Sequence, residues 1–553
     1  MSFVASRCRR AATTLLLCVV APRVHAQGTA IVPPGDLAYA DVDRLAELGM
    51  LDSVIIGQRP YSRREFTRIV RTARETLVRR VDDERRERSS VVVNAILGRL
   101  AERFDAGPAT EAEGAEGAAL SLIDAASLTL GKTDAVRRGL AGSLANGIEA
   151  TIDPLAVRRL GTPAPSGRTV ALELSQLLDV TRWLSFHATE RLEHRVPRDT
   201  TLSRRAGELL TAGARARFRN VALRIGREQV TWSQSSGDGL FLASDAPALD
   251  LVSLGGDRPF LLPGMLRLVG PTQATLVLAE LGPSVVRSHS KLLAYKVSIQ
   301  PRRDLELGAT FMNHYGGSGG RASGFGNRLV DFLPFVDIFR AHNYTDTTRM
   351  LDVDSDKLLG VDGRLRIARL GGLVVTGELL IDDFDVHRIR TLFTWDGAQT
   401  LGIVAPRIAG SAFSVQLSAK HTGVRTYAHG VLSNGIATRG RLLGDELGPD
   451  AKAFGATVRW EPLGPVRTAL EGRSATYSKS SYVTEERGTY FVIRRVGAAS
   501  NELRDRAVAS LVADLADGLA LTARVAAERI RNAAFLGGTR HDYAAELAVR
   551  FAR

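Results

Sequence analysis

The sequence is nearly free of cysteine and of long apolar runs. Its two cysteines, Cys8 and Cys18, both lie in the first 26 residues, where an arginine-rich start, a short apolar core and the small-residue pattern Val24 to Ala26 are typical of a secretory signal peptide. Removal of that segment would leave no thiol for a disulfide, a zinc site or a nucleophile. No later stretch offers the ~18 consecutive apolar residues typical of a membrane-spanning helix. We therefore predict a signal peptide at residues 1–26 and no helical membrane span.

Positive charge is thinly spread along the chain. Loss of the predicted signal peptide would remove four arginines and lower the formal net charge from +13 to +9. The remaining basic residues do not gather on one helical face between aromatic side chains, as they do in many nucleic-acid-binding proteins. We therefore expect no nucleic-acid partner.

The first part of the mature chain has helical spacing. Asp41 precedes apolar residues at positions 42, 45 and 48, with Gly49 as the expected helix end, and Ser62 to Glu65 has the form of a capping box. A third helix is predicted by Val93, Ile96, Leu97, Leu100 and Phe104. These patterns predict a periplasmic helical domain at residues 27–109, followed by a linker at 110–119 that is rich in Glu, Ala and Gly.

From residue 120 to residue 553 the apolar period changes to two. One segment carries Phe413, Val415, Leu417 and Ala419 on one face and Ser414, Gln416, Ser418 and Lys420 on the other. Segments 454–460 and 466–470 repeat the pattern on either side of a turn. A change of parity at Arg219 and Asn220 indicates a bulge or a tight turn. Short turns contrast with long segments at 313–356, 421–453 and 474–505, which we predict to be external loops.

The composition of the two strand faces favours a barrel in lipid over a soluble multi-sheet protein, which is the alternative. Many apolar-face positions are Ala, Gly or Thr, which lipid tolerates, whereas a sandwich interlocks bulky side chains. The opposite faces are rich in Arg and Glu and would line a wet interior. At about ten residues per strand, ~16 to 20 strands are expected. The predicted fold class is an all-β, antiparallel transmembrane barrel in outer-membrane lipid, with a small N-terminal α-helical domain.

Two stretches near the middle of the chain resemble the Wzi capsule-assembly family of outer-membrane proteins. They cover residues 225–232 and 239–247, and a departure follows Trp232, where Ser-Gln-Ser stands instead of a Gly-Pro-Gly-like turn. The motif residues are Gly226, Arg227, Glu228, Trp232, Ser244, Asp245, Ala246 and Pro247. The resemblance implies a barrel of about 18 strands with a periplasmic helical bundle. It also implies a protein that binds and helps to retain capsular polysaccharide or exopolysaccharide at the cell surface.

Arginines on the polar strand faces are the candidate ligand-binding residues. The set predicted to face the lumen is Arg215, Arg217, Arg219, Arg224, Arg227, Arg364 and Arg366. Guanidinium groups match carboxylates bidentately, so an acidic polysaccharide that carries uronic acids is the expected ligand. The alternative is that these arginines pair with interior glutamates such as Glu173, Glu378, Glu461 and Glu471 and simply fill the barrel.

The sequence carries no enzyme signature. Gly131-Lys132-Thr133 ends like a phosphate loop, but Ala126 stands where the first glycine is required. Asp352, Asp354 and Asp356 resemble a calcium loop, yet Lys357 replaces its glycine. We therefore predict no catalytic residue, no cofactor and no metal site.

Two functional hypotheses remain from the sequence. The first is a surface protein that binds and anchors capsule, with polysaccharide export machinery as a further partner. The second is a passive outer-membrane channel for small anionic or sugar solutes. In that second hypothesis a degenerate S-layer-homology-like prefix, with Gly-Gln-Arg-Pro at 57–60, would tether the barrel to the cell wall.

Overall fold

The structure is a computed structural model. It describes residues 30–80, 87–104, 118–140, 148, 150–153, 155, 166–198, 203–234, 239–285, 287–320, 332, 355–382, 393, 395–408, 412–429, 432, 434–461, 465–487 and 490–553, with side chains for all of these except 80, 87–90, 479–487 and 490–500. The predicted signal peptide and all but the last two residues of the predicted linker lie outside this part of the chain.

Eighteen antiparallel strands close into one barrel, because the first strand pairs with both the second and the last. The strands are β1 (Ala119–Thr133), β2 (Gly167–Thr181), β3 (Leu184–Pro197), β4 (Arg204–Phe218), β5 (Val221–Glu228), β6 (Leu249–Gly256), β7 (Pro271–Glu280), β8 (Lys291–Arg302), β9 (Leu305–Tyr315), β10 (Ser355–Ile367), β11 (Leu373–Asp382), β12 (Gly397–Ala405), β13 (Phe413–Thr422), β14 (Ala451–Trp460), β15 (Val466–Arg487), β16 (Tyr490–Ala516), β17 (Leu519–Arg531) and β18 (Thr539–Ala552). Each neighbours the next in sequence, which confirms the predicted up-and-down barrel and its strand number.

The predicted pairing of 454–460 with 466–470 is confirmed, and one predicted loop is corrected. Trp460 pairs with Thr468 across the hairpin from β14 to β15, and Arg219 lies in a tight turn at the predicted change of parity, with a φ of 54°. Residues 474–505, predicted to be an external loop, instead continue β15 and begin β16. The β-branched and aromatic residues of this segment favour extended backbone, so the two strands run on past the length that a bilayer requires.

The two faces of the barrel wall differ as the parity of the sequence predicts. Bulky apolar side chains point outward and are exposed, as lipid contact requires: Leu192, Leu223, Ile225, Val252, Leu254, Leu417, Val458, Leu470, Val525 and Leu547. Charged side chains on the other face are buried inside: Arg191, Glu193, Arg215, Lys296, Glu306, Asp362, Glu378, Arg504 and Glu528. The barrel is therefore apolar outside and polar along much of its lumen.

Within the described residues, three helices precede the barrel: α1 (Ala38–Glu47), α2 (Arg63–Arg80) and α3 (Glu87–Phe104). The five apolar residues predicted for the third helix are all buried in the core that the helices share. No described helix combines the length and the apolar character needed to cross a membrane. The helical core therefore forms as the 3.6-residue period predicts.

The caps of the helices differ in part from prediction. Asp41 lies in the first turn of α1 and does not cap it, whereas the Asp36 carboxylate, just before the helix, accepts the Ala38 amide at 2.8 Å. The Ser62 hydroxyl accepts the Glu65 amide at 3.2 Å, as a capping box requires. In a full capping box the Glu65 carboxylate would accept the Ser62 amide. Here it accepts two hydrogen bonds from the Arg68 guanidinium instead, at 2.5 Å and 2.7 Å.

The helical domain is fastened inside the end of the barrel that carries the short turns. Arg44 Nε lies 2.7 Å from Glu461 Oε2, and Arg459 Nη1 lies 2.9 Å from Glu47 Oε1. Further ion pairs join Arg467 to Asp41 and Arg63 to Asp124. Short turns mark the periplasmic end of outer-membrane barrels, so the helices close the periplasmic mouth.

Candidate functional site

The described residues of three segments from the long-loop end fold back into the lumen. We call them the first inserted loop (residues 134–155), the second inserted loop (229–248) and the third inserted loop (423–450). Their apolar side chains form one buried cluster with inward-facing strand residues such as Leu292, Met312 and Leu380. The loop residues in this cluster are Leu140, Ile148, Ala150, Ile152, Val230, Trp232, Leu240, Phe241, Leu242, Ala246, Tyr427, Ile436, Ala437, Leu442 and Leu443. The extracellular half of the barrel therefore holds an apolar core, which departs from the wholly polar lumen that strand parity predicts.

One carboxylate on the barrel wall holds the second inserted loop. Glu378 of β11 accepts hydrogen bonds from the Ser233 hydroxyl at 2.8 Å, the Gln234 amide at 3.0 Å and the Leu240 amide at 2.9 Å. Glu378 is 5 % exposed. Because three donors converge on one buried carboxylate, this contact sets the depth at which the loop lies.

A polar layer continues from this contact across the lumen. The Gln234 side-chain amide donates to Glu306 at 2.9 Å and to Asp362 at 2.7 Å. The Lys296 ammonium lies 2.5 Å from the other Asp362 oxygen and is 1 % exposed. Buried carboxylates and a buried ammonium thus stabilise one another through a connected network.

The same layer joins the extracellular loops to the periplasmic domain. Glu306 accepts the backbone amides of Ile56 and Gly57, each at 2.9 Å. The Arg59 amide donates to the Thr231 carbonyl at 2.9 Å, and the Thr231 amide donates back at 3.1 Å. We call Arg59, Thr231, Gln234 and Glu306 the midbarrel junction. Through it the helical domain and the second inserted loop touch inside the lumen.

The third inserted loop is fixed by a buried tyrosine. The Tyr427 hydroxyl donates to the Leu240 carbonyl at 2.6 Å and accepts the Asp445 amide at 3.2 Å. The Tyr427 amide donates to Asp382 at 2.9 Å. The Ala243 amide donates to the Leu443 carbonyl at 2.8 Å, so the second and third inserted loops form one unit.

The extracellular mouth carries aromatic and basic side chains above this unit. Phe393, in the connection between β11 and β12, is 52 % exposed, and Trp395 is half-buried two residues later. The Arg425 amide donates to the Trp395 carbonyl at 2.9 Å, and its guanidinium lies 3.3 Å from Asp396. The mouth thus combines exposed aromatic surface with a guanidinium, the group that matches a carboxylate.

Two of the predicted arginines face the lumen near the helical domain. Arg215 lies 2.6 Å from Asp257, and Arg224 donates to the Ser253 hydroxyl at 2.9 Å and lies 3.2 Å from Glu228. Burial raises the pKa of Asp257, but the charge and hydrogen bond of Arg215 lower it below its ordinary value. A cavity of about 40 Å³ beside these arginines has room for roughly three water molecules. Both arginines act as interior counter-ions here, and a role in binding polysaccharide stays a prediction.

Arg364 and Arg366 of β10 lie beneath the first helix. Arg366 donates to the backbone carbonyls of Glu47 and Leu48, at 3.2 Å and 3.4 Å. Burial raises the pKa of Glu47, but the positive charges of Arg459 and, among others, Arg364 lower it below its ordinary value. These contacts fasten the helical domain to the barrel.

Arg217 and Arg219 lie at a periplasmic turn. Arg217 donates to the carbonyls of Arg219 and Arg182, at 2.9 Å and 3.0 Å. The Arg219 guanidinium lies over the Phe218 ring, 5.5 Å from its centre. The structure therefore does not bring these two arginines to the extracellular mouth.

Arg227 faces lipid rather than the lumen, so its predicted orientation was wrong. It alternates with buried Arg224 and Glu228 and shares the outer face with exposed Ile225. Its guanidinium lies 2.7 Å from Asp250 on the neighbouring strand. Side chains of a strand alternate between its faces, so position 227 cannot share a face with position 224.

The family-like motif builds the second inserted loop and its support. A Cβ at Gly226, which has a φ of 143°, would lie 2.3 Å from the Ala212 carbonyl oxygen, so no side chain fits there. The Trp232 amide donates to the Leu242 carbonyl at 2.9 Å. The carbonyls of Ser244 and Ala246 both accept the Gln229 side-chain amide. Glu228, Asp245 and Pro247 complete the motif, and Glu228 and Pro247 are buried.

Sequence reasoning missed the residues that hold the loops in place. Gln234 and Lys296 were assigned no role, and Glu378 was expected only as a partner of lumen arginines. The sequence did carry one signal for the role of Gln234, because this residue lies where the motif departs from the family pattern. In the described residues, no group of three or more His, Cys, Asp or Glu side chains could hold a metal ion.

Comparisons with known proteins agree with this architecture. The family described as capsule assembly protein Wzi matches residues 143–544, more than half of the chain. The structure of Wzi from Escherichia coli, a carbohydrate-binding outer-membrane β-barrel involved in group 1 capsule assembly, superposes with a TM-score of 0.64 at 14% identity, over 95% of this chain and 99% of that chain. At that identity the likeness shows the fold alone.

Weaker likenesses involve proteins of other organisms. OccAB2 of Acinetobacter baumannii has a TM-score of 0.41 at 12% identity, over 78% of this chain and 99% of that chain. OccK3 of Pseudomonas aeruginosa has a TM-score of 0.41 at 11% identity, over 78% of this chain and 96% of that chain. Likenesses this weak carry no argument about the present chain. No curated protein matches the sequence significantly.

Proposed function

We propose a function from the premise that this chain belongs to the capsule assembly protein Wzi family. It is an outer-membrane β-barrel that binds an acidic capsular polysaccharide or exopolysaccharide at its extracellular mouth. By holding that polymer it helps to assemble or anchor polysaccharide at the cell surface. The proposed role is binding without catalysis.

The filled lumen is the observation that carries this proposal. The three inserted loops pack into one apolar cluster with the wall, and the midbarrel junction joins them to the helical domain. Because its lumen is filled from both ends, the barrel offers a polymer a binding surface at its mouth rather than a path through the membrane. That geometry favours a binding protein over the passive channel that the sequence left open.

The chemistry of the mouth fits a sugar polymer with carboxylates. Exposed Phe393 offers a flat apolar face on which a sugar ring can pack. The guanidinium of Arg425, beside Trp395, is the kind of group that matches the carboxylate of a uronic acid. We therefore place the first polysaccharide contacts at these three residues.

Binding to immobilised polysaccharide tests the proposal. We expect the purified barrel to bind a polyuronate such as alginate and not neutral dextran. Phe393→Ala should weaken that binding roughly fivefold, because one apolar ring contact is lost. The matched control is Phe413→Ala, which removes an aromatic ring that is 43 % exposed on the lipid-facing wall near the periplasmic end.

A cellular measurement complements the binding assay. Deletion of the gene should release polysaccharide from the cell surface into the medium. Unchanged amounts and organisation of cell-bound polysaccharide in the deletion strain would contradict an anchoring role. Equal binding of alginate and dextran would contradict the proposed preference for acidic polymers.

The channel hypothesis makes the opposite prediction in planar bilayers. Because the inserted loops and the helical domain occupy the lumen, we expect no steady conductance of the size that open porins give. A stable conductance that small anionic solutes or sugars reduce would revive the channel and argue against the filled barrel.

A further inference from the structure

The lipid-facing wall carries a groove of about 640 Å³ across the outer faces of β15, β16, β17 and β18. Pockets that hold small ligands generally measure about 300–1,000 Å³. The groove lies toward the long-loop end, because Tyr543 is only a few residues from the start of β18. It is separate from the lumen and from the proposed polysaccharide site.

Strand pairing explains the shape of this groove. In one row across the wall, Gly472 pairs with Ala507, Ala507 with Ala527, and Ala527 with Tyr543. In the next row, Ala509 and Ala545 flank Val525. These glycine and alanine residues form the floor of the groove. Three larger side chains project around the floor and are strongly exposed: Leu470 at 60 %, Val525 at 56 % and Tyr543 at 56 %. The result is a shallow apolar trough with defined sides.

Basic side chains border the trough at its extracellular end and along its β1 side. Arg529 and His541 pair across β17 and β18, two residues beyond the floor on the same face, and Lys132 pairs with Ala545 at the other side. All three are exposed. Among the described residues, the structure records no hydrogen bond or ion pair for any of these three side chains.

The acidic side chains near these basic residues already accept hydrogen bonds from other groups. Asp505 lies beside Arg529 but accepts from Arg531 at 3.1 Å and from the Ser474 hydroxyl at 2.7 Å. Asp134 accepts the backbone amide of Tyr543. Lys132 and Arg529 therefore face outward at the border of the apolar trough, where they favour a negatively charged group.

We propose that this groove binds one phosphorylated, multiply acylated glycolipid of the outer leaflet. An acyl chain would lie in the trough between Leu470 and Tyr543, and a phosphate would sit between Lys132 and Arg529. Cationic side chains bind phosphate through charge-assisted hydrogen bonds. The proposed site adds a specific lipid contact to the general lipid-facing surface of the barrel, and it does not depend on polysaccharide binding.

Two observations favour a lipid over a protein partner. The trough continues the exposed apolar surface of the barrel wall, with Leu547 and Leu130 in the next row toward the periplasm. Arg529 lies at the extracellular edge of the trough and Lys132 along its β1 side, so a headgroup at that corner can meet both side chains. A second copy of this chain would bring the same unpaired cations together, which like-charge repulsion opposes.

Native mass spectrometry of the purified barrel tests the proposal, with bis-phosphorylated, hexa-acylated lipid A as the probe. We expect one lipid A to remain bound per barrel. The double variant Lys132→Gln with Arg529→Gln should weaken binding roughly tenfold or more, because two cations near the headgroup are lost. Ala527→Trp should weaken it comparably, because the indole fills the floor of the trough.

Matched controls separate this site from the general lipid surface. Arg227→Gln removes another outward-facing arginine, and Ala309→Trp places an indole on an exposed alanine of β9, on the far side of the barrel. Both should bind lipid A within about twofold of the unaltered barrel, and circular dichroism should show all variants folded. Equal losses in the controls, or equal retention of phosphatidylglycerol, would overturn the proposal. So would a dimer that Ala527→Trp dissociates, because a second copy would then occupy the groove.

Discussion

Glu378 is the residue whose removal should disturb the extracellular loops most directly. Its carboxylate accepts hydrogen bonds from three donors of the second inserted loop, at Ser233, Gln234 and Leu240. Glu378→Ala would leave these buried donors unpaired, and each such group costs about 1–3 kcal/mol. We expect the loop to lose about 3 kcal/mol or more of local stability, measured as faster amide hydrogen exchange at Gln234 and Leu240.

The control for this prediction is Glu208→Ala, which removes an exposed carboxylate of β4. It should leave exchange in the second inserted loop unchanged. If Glu378→Ala also leaves exchange there unchanged, the loop is held by its apolar packing and not by this carboxylate.

At the scale of secondary-structure elements, the packing of the helices is stabilised by an ion pair between the segment before α1 and the end of α3. Arg103 binds both oxygens of Asp36, at 2.7 Å and 2.8 Å. Burial raises the pKa of Asp36, but the charge and hydrogen bonds of Arg103 lower it below its ordinary value of 3.8. The pair therefore stabilises the helical domain at every pH above about 4, and that stability is lost as the pH falls through the lowered pKa.

We expect Asp36→Asn to reduce the stability of the helical domain by roughly 3 kcal/mol at pH 7, because it leaves Arg103 without its partner. The variant should also lose less stability than the unaltered protein when the pH falls from 5 to 3. Protection of α1 and α3 amides, corrected for intrinsic exchange, measures both effects. Asp304→Asn, at a half-exposed periplasmic turn, should change neither, and an acid response of Asp36→Asn equal to that of the unaltered protein would refute the assignment.

Elements with a clear period were predictable, and long-range contacts were not. The alternation around Phe413 and the helical stripe around Leu97 report the local environment of each side chain, so they predicted the strands, the buried face and the third helix. Glu461 shows the limit, because its polar character directly after β14 was evident but its partner proved to be Arg44, 417 residues earlier. No local pattern identifies a partner at that separation.

The candidate site was less accessible than the fold for the same reason. The motif that ends at Pro247 was recognised, but nothing in the spacing of its residues shows that it turns inward to meet Glu378. The grouping of Arg227 with the lumen arginines went against parity, because Arg227 alternates with Arg224 along β5. A single sequence therefore predicts on which face of the barrel wall a side chain lies more readily than which residue it contacts.

For the molecule as a whole, the central claim is that its periplasmic and extracellular parts touch inside the barrel. Arg59 and Thr231 exchange two backbone hydrogen bonds, at 2.9 Å and 3.1 Å. In such an antiparallel pair the Cα atoms lie about 5.5 Å apart, within the range of about 4.4–6.8 Å that a disulfide spans. The predicted mature chain has no thiol of its own, so an introduced pair can be followed without interference.

We expect the double variant Arg59→Cys with Thr231→Cys to form a disulfide on mild oxidation, seen as a reducible shift in gel mobility and a loss of free thiols. Arg59→Cys with Ser318→Cys, in the loop after β9, should keep both thiols free. Alginate binding should stay within about twofold when the disulfide forms, because the bond only fixes a contact that the folded barrel already makes. Free thiols in the first pair would mean that the helical domain and the second inserted loop do not meet, and the filled barrel would then fail as the basis for surface binding.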